Sequence, residues 1–94
     1  MGRRYSFTAD ALSNLAVYGV TPGEVWEALH GTRRVIRHLD ELTVVYAASR
    51  RGRKLVVLVA ATGHDDHDWD ILSARDMSDS EAKRYDEATA GWGR

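Results

Sequence analysis

Lys54-Leu55-Val56-Val57-Leu58-Val59-Ala60-Ala61-Thr62 decides the fold of this chain. A run of seven apolar residues, Leu55 to Ala61, is far too short to span a bilayer. It predicts a central strand, either covered on both faces or covered on one and shielded by a partner on the other. Gly52 supplies a turn on its upstream side. Beyond that turn Leu42–Ser49 is a second apolar-rich stretch, and before it Arg33–Leu39 partly alternates basic and apolar residues. Downstream, polar Gly63–His67 predicts a hairpin loop and Asp68–Arg75 the last strand of a four-strand meander. Connections this short make consecutive strands antiparallel.

Helices flank the strands. Tyr5-Ser6-Phe7-Thr8 alternates and predicts a short first strand. Thr8 or Asp10 can cap a helix to about Val17, with Leu12, Leu15 and Ala16 as its apolar stripe and Gly19 as its left-handed stop. Thr21-Pro22-Gly23-Glu24 is a capping box with proline at the first helical position. The helix it opens runs to about Leu29, burying Val25, Trp26 and Leu29 and closing at Gly31. Ser78-Asp79-Ser80-Glu81 is a second capping box, opening a helix to about Thr89. Gly91–Arg94 reads as a frayed tail. The expectation is one α+β domain over residues 1–94: a small antiparallel sheet (a short first strand, then a four-strand meander), two N-terminal helices on one sheet face and one C-terminal helix.

Ninety-four residues bury a modest core, so stability is marginal without a partner. With no cysteine there is no disulfide framework, no thiolate nucleophile and no cysteine zinc site, which fits a reducing, cytoplasmic setting. The first residues lack the apolar stretch of a signal peptide, and no membrane association is expected. Net charge is −1 but unevenly spread. Residues 1–54 hold nine Lys/Arg against five Asp/Glu, whereas residues 55–94 hold four against nine. Bulk charge therefore does not make this a generic nucleic-acid polycation, and any RNA contact must come from a local basic surface.

The densest such surface is Arg50-Arg51-Gly52-Arg53-Lys54. If the strands pair as consecutive hairpins, the Arg33 end of one strand lies beside the Arg50 end of the next. Arg34, Arg37 and Tyr46 then join Arg50, Arg51, Arg53 and Lys54 on one electropositive edge able to bind RNA. The plainer reading is a charged edge that discourages strand-to-strand aggregation. Arg75 ends an apolar strand, where its guanidinium could hold a phosphate bidentately. A salt bridge to Asp76, Asp79 or Glu81 is the structural alternative. Glu81 and Tyr85 share one helical face, Glu81 as proton acceptor or cap and Tyr85 as substrate contact or packing residue. Arg84 is expected to point elsewhere on that helix. His64-Asp65-Asp66-His67-Asp68 has metal-binding residue types but sits in one polar loop, so neither a metal nor another cofactor is expected.

The run Asp70-Ile71-Leu72-Ser73-Ala74-Arg75, followed by Glu81 and Tyr85, resembles the C-terminal signature of BrnT-type toxins. Asn14-Leu15 followed by Tyr18-Gly19-Val20-Thr21 is similar to that family's helix junction, and the basic hairpin falls where the family has one. The resemblance covers about Tyr5 to Ala88. It implies a RelE-like fold and a metal-independent endoribonuclease in which the RNA 2′-hydroxyl attacks the neighbouring phosphate. On this chain it implies Arg75, Tyr85, Glu81 and His38 as catalytic candidates. It also implies a ribbon-helix-helix antitoxin as partner, with DNA bound only through the toxin–antitoxin complex. The chain departs from the pattern at Val17-Tyr18, where the family has Lys-His, at Trp69 and Asp70, where it carries an arginine, and at Asp76, where a basic residue follows the signature arginine. These changes remove an imidazole and three cations. They motivate the second hypothesis, a non-catalytic interaction module that keeps the fold.

Overall fold

A computed structural model describes residues 4–62 and 68–91. The expected loop at Gly63–His67, and the tail beyond Gly91, lie outside the described residues. The elements are β1 (Tyr5–Phe7), α1 (Ala9–Tyr18), α2 (Pro22–Leu29), β2 (Val35–Leu39), β3 (Leu42–Ala48), β4 (Lys54–Ala61), β5 (Trp69–Asp76) and α3 (Asp79–Thr89). Together they make a small α+β fold of one five-stranded sheet and three helices.

The sheet runs β1-β5-β4-β3-β2. From β2 to β5 it is the expected antiparallel meander, with Val45 opposite Val57 and Val57 opposite Ala74. The all-antiparallel expectation fails at β1, which pairs parallel to β5 with Tyr5 opposite Trp69 and Phe7 opposite Ile71. The reason is connectivity. A short loop forces its two strands to reverse, but two helices separate β1 from β2, so nothing local fixes its direction.

Val45, Ala47, Leu55, Val57, Val59, Ile71 and Ala74 form the buried face under α1 and α2. Ile71 and Ala74 share that face despite odd spacing because β5 bulges: Val59 pairs with Ile71 and Leu58 with Ser73, leaving Leu72 unopposed. α1 packs mainly on β5. Its buried residues are Ala11 and Leu15, one helical turn apart, whereas Leu12, expected in the stripe, is 47% exposed and Ala16 is also exposed. α2 buries Val25, Ala28 and Leu29. Trp26, also expected inside, is half exposed and stacks on His30 with ring centroids 4.0 Å apart.

The termini follow local chemistry. Thr8 caps α1 by accepting from the Ala11 amide, and Gly19 stops it at φ 65°. Both capping boxes form, Thr21 with Glu24 and Ser78 with Glu81. Gly52, at φ 86°, takes the left-handed position in the turn before β4. Among the described residues no helix is long and apolar enough to cross a membrane.

Candidate nucleic-acid interface

The sheet face away from α1 and α2 carries the residues that could meet RNA. Strand register sets them out: Tyr46 lies opposite Val56, and Val56 opposite Arg75. Side chains opposite one another in a ladder share a face, so Tyr46, Val56 and Arg75 form one row across β3, β4 and β5. Arg37 stands opposite Val44 on β2 and adds to the same face. α3 crosses the end of this face, presenting residues 81, 84, 85 and 88, which are one face of a helix. Between the helix and the sheet lies a cavity of about 420 Å³, lined by Val35, Arg37, Tyr46, Glu81, Arg84 and Tyr85. A second cavity of about 240 Å³ adjoins it at Tyr46 and continues over Leu58 and Ser73 to Arg75.

Arg75 is closed on Glu81. Its Nη1 donates to Glu81 Oε1 at 2.7 Å and its Nη2 to Oε2 at 3.0 Å, with a further bond from Nη1 to the Asp76 carbonyl. Glu81 also accepts from the Ser78 amide as part of the cap. Arg75 first, and the Ser78 amide second, pull the Glu81 pKa down to about 2. A carboxylate so stabilised is a weak base while this pairing lasts.

The linkage has a definite sign. The folded value lies below the ordinary 4.5, so the pair stabilises the fold above that pH and the contribution fades as pH falls toward 2. Allowing for the exposure of Arg75, it is worth about 1–2 kcal/mol. Glu81→Gln is therefore expected to lower stability at neutral pH and to flatten the acid limb between those values. Urea titrations at a series of pH values check this, and an unchanged acid limb would refute the assignment.

The other expected site residues scatter. The Tyr85 hydroxyl donates to the Arg33 carbonyl at 2.6 Å, and burial pushes the phenol pKa up. His38 is on the α1/α2 face, its Nδ1 3.1 Å from Thr43 Oγ1, so the structure does not bring it to Arg75. Arg53, expected as a solvent-facing hairpin arginine, is instead a tie between elements. It grips Asp76 with Nε and Nη2 at 2.7 and 2.9 Å. Its remaining donors reach the Gly19 and Tyr18 carbonyls and Glu24. Lys54 pairs with Asp86 at 2.7 Å, and Arg34 donates to the Leu29 carbonyl. Arg50 and Arg51 remain exposed in the turn. The Arg33 end of β2 does approach this turn, and Arg33 and Arg50 line one shallow cavity.

Arg84 is the residue that sequence reading missed. It faces the same cavity as Glu81 and Tyr85, and the three-residue step from 81 to 84 was the available signal. Among the described residues, Arg37 and Arg84 have neither an ion pair nor a hydrogen bond from the guanidinium, so two uncommitted cations line one cleft. Among the described residues no group of three or more His, Asp or Glu side chains could hold a metal, and the Gly63–His67 segment lies outside them. No protein-family model matches this chain, and no curated protein matches it significantly.

Proposed function

We propose that the chain is a RelE-like, metal-independent endoribonuclease, the toxin of a type II toxin–antitoxin pair. The observation that carries this reading is the pair of uncommitted cations, Arg37 and Arg84, sharing a cleft with Tyr46 and adjoining Arg75. Single-stranded RNA would stack a base on Tyr46 and lay its backbone on the arginines. The scissile phosphate takes the Arg75 fork in place of Glu81, since its two non-bridging oxygens, like those of a carboxylate, can accept both guanidinium donors. Glu81 then loses the partner that most depresses its pKa and gains basicity as substrate arrives. It can accept the proton of the attacking 2′-hydroxyl as that oxygen bonds to phosphorus and the P–O5′ bond breaks, leaving a 2′,3′-cyclic phosphate and a 5′-hydroxyl that takes its proton from water, while Arg37, Arg75 and Arg84 stabilise charge on the phosphate. Tyr85 serves by fixing α3. Arg50 and Arg51 extend the RNA path, and His38 takes no part in this scheme. The partner is a ribbon-helix-helix antitoxin, through which alone the complex meets DNA.

The alternative, a non-catalytic interaction module, is favoured by one observation: Arg75 and Glu81 already satisfy each other, and the Tyr85 hydroxyl is spent on the Arg33 carbonyl. One set of experiments separates the two. Induced alone in a bacterium, the protein should slow growth and deplete RNA. The purified protein should cleave single-stranded RNA in excess chelator. Arg75→Ala should abolish cleavage with a small loss of stability, because the pair is half exposed. Arg37→Ala with Arg84→Ala should weaken RNA binding and reduce its salt dependence by about 1.4 counterions. Normal growth and intact RNA at confirmed folded expression would overturn the ribonuclease reading and favour the module.

A further inference from the structure

Alternation along β5 sends Arg75 and Asp76 to opposite faces of the sheet. Arg75 lies on the cleft face, where Glu81 takes its fork at 2.7 and 3.0 Å. Asp76 lies on the α1/α2 face, opposite buried Leu55 in the β4–β5 ladder, and Arg53 grips its carboxylate at 2.7 and 2.9 Å. The two ion pairs meet at the Asp76 backbone, whose carbonyl accepts from Arg75 Nη1 at 3.0 Å. Asp76 is also the last residue of β5, and strand ends open readily unless something holds them. Arg53 is anchored away from β5, on the Gly19 and Tyr18 carbonyls and on Glu24, which closes the capping box of α2. A continuous run of bonds therefore leads from the α2 cap through Arg53 and Asp76 to Arg75, Glu81 and the Ser78 amide at the α3 cap.

We propose that Arg53 and Asp76 are positioning residues for Arg75. Held from the α1/α2 side, the Asp76 carboxylate fixes the end of β5 and with it the carbonyl against which Arg75 Nη1 is set, so that the guanidinium fork faces the cleft. Neither Arg53 nor Asp76 lines the cleft cavities, so their effect travels through the backbone. A role through charge alone has the opposite sign. If Asp76 merely attracted Arg75, it would compete with Glu81, and its removal would leave the Arg75–Glu81 pair as tight or tighter. If it holds the strand end, its removal loosens that pair. The consequence for cleavage rests on the ribonuclease reading; the positioning itself does not.

Side-chain NMR of the labelled protein reads the fork directly. A guanidinium held bidentately turns slowly about its Nε–Cζ bond and gives two Nη resonances, whereas a free one averages them. Wild-type Arg75 should give two. Asp76→Ala should merge them, speeding the rotation by about tenfold, the worth of one charge-assisted hydrogen bond. The Asp76 side chain is half exposed, so this change spares the core. Arg53→Lys should act likewise, since one ammonium cannot replace the fork on Asp76. Asp86→Ala, which removes a surface carboxylate paired with Lys54, is the control and should leave Arg75 as it is. In cleavage assays Asp76→Ala should lower kcat by about tenfold at nearly unchanged KM, because Arg37 and Arg84 still hold the RNA. A wild type inert toward RNA would defeat the ribonuclease reading alone, and the resonances would still decide this inference. Two slow Arg75 resonances in Asp76→Ala would overturn it. So would averaged resonances in the wild type, equal merging in Asp86→Ala, or full cleavage by Asp76→Ala.

Discussion

Tyr85→Ala is expected to release α3 from the sheet and to cost the fold about 3–4 kcal/mol. The helix has little else to hold it. Its buried residues are Tyr85 and Thr89, and the Thr89 hydroxyl is spent within the helix on the Tyr85 carbonyl. Tyr85 is 6% exposed, and its hydroxyl hydrogen-bonds from α3 to the backbone before β2. Removing the ring deletes that bond and opens a hole beside Val35 and Tyr46, which line the same cavity. The surviving attachments are the surface pair Lys54–Asp86, worth little, and the bidentate Arg75–Glu81 pair, worth about 1–2 kcal/mol. For a domain of this size the melting temperature should fall by roughly 15–25 °C. Tyr85→Phe is the control, losing only the bond to the Arg33 carbonyl at a cost of about 1 kcal/mol. Thermal denaturation of both variants, with amide exchange along α3, gives the answer. An alanine variant that melts like the phenylalanine one would mean the ring does not hold the helix.

Arg53→Ala should cost about 2–3 kcal/mol, well above an ordinary surface arginine. The guanidinium gathers the end of α1, the start of α2 and the end of β5 at one point. Its loss leaves the Tyr18 and Gly19 carbonyls without this donor and Asp76 without its counterion. Water reaches part of the site, since the Arg53 side chain is 28% exposed, and this holds the cost below that of a fully buried pair. The pH dependence carries a second signature. Asp76 is held below its ordinary 3.8, chiefly by its hydrogen bond to Arg53. Glu24 is held below 4.5, by the Thr21 amide first and by Arg53 after it. Both folded values lie below the unfolded ones, so these contributions are present above about pH 4.5 and are lost as pH falls through the folded values. Arg53→Ala should remove much of that acid sensitivity as well as the stability itself. Arg53→Lys should restore little, because a single ammonium cannot span Asp76, Glu24 and two carbonyls. Chemical denaturation at neutral and acid pH tests both points. A neutral-pH loss no greater than that of Arg51→Ala, an exposed neighbour, would show the network to be idle.

What could be read in the sequence was what local chemistry decides. The two capping boxes join residues three apart, and both form. The meander followed from short connections and apolar runs, and its strand ends fall within two residues of expectation. The direction of β1 was not legible, because its partner lies across two helices and three strands. Burial on the helices was misread where spacing left two choices: Ala11, not Leu12, faces the sheet in α1, and Trp26 turns outward in α2. A large apolar side chain biases such a reading, whereas packing against β5 favoured the small one. At the candidate site, Arg75 and Glu81 could be paired on paper, since six residues and one turn separate them. The role of Arg53 could not, because its partners come from Tyr18, Gly19, Glu24 and Asp76, distant stretches that only the fold assembles.

The parallel pairing of β1 with β5 also dictates the order in which the molecule can be completed. Arg4 and Asp68, which pair beside those strands, are 64 residues apart in the chain. Closing so long a loop costs entropy before any contact repays it, so this seam forms late and slowly compared with the β2–β3 hairpin. During synthesis β1, α1 and α2 emerge well before the strand on which β1 and α1 rest. Ala11 and Leu15 therefore stay uncovered until β5 has left the ribosome, and the nascent protein passes through an interval in which its first helix has no sheet to lie on.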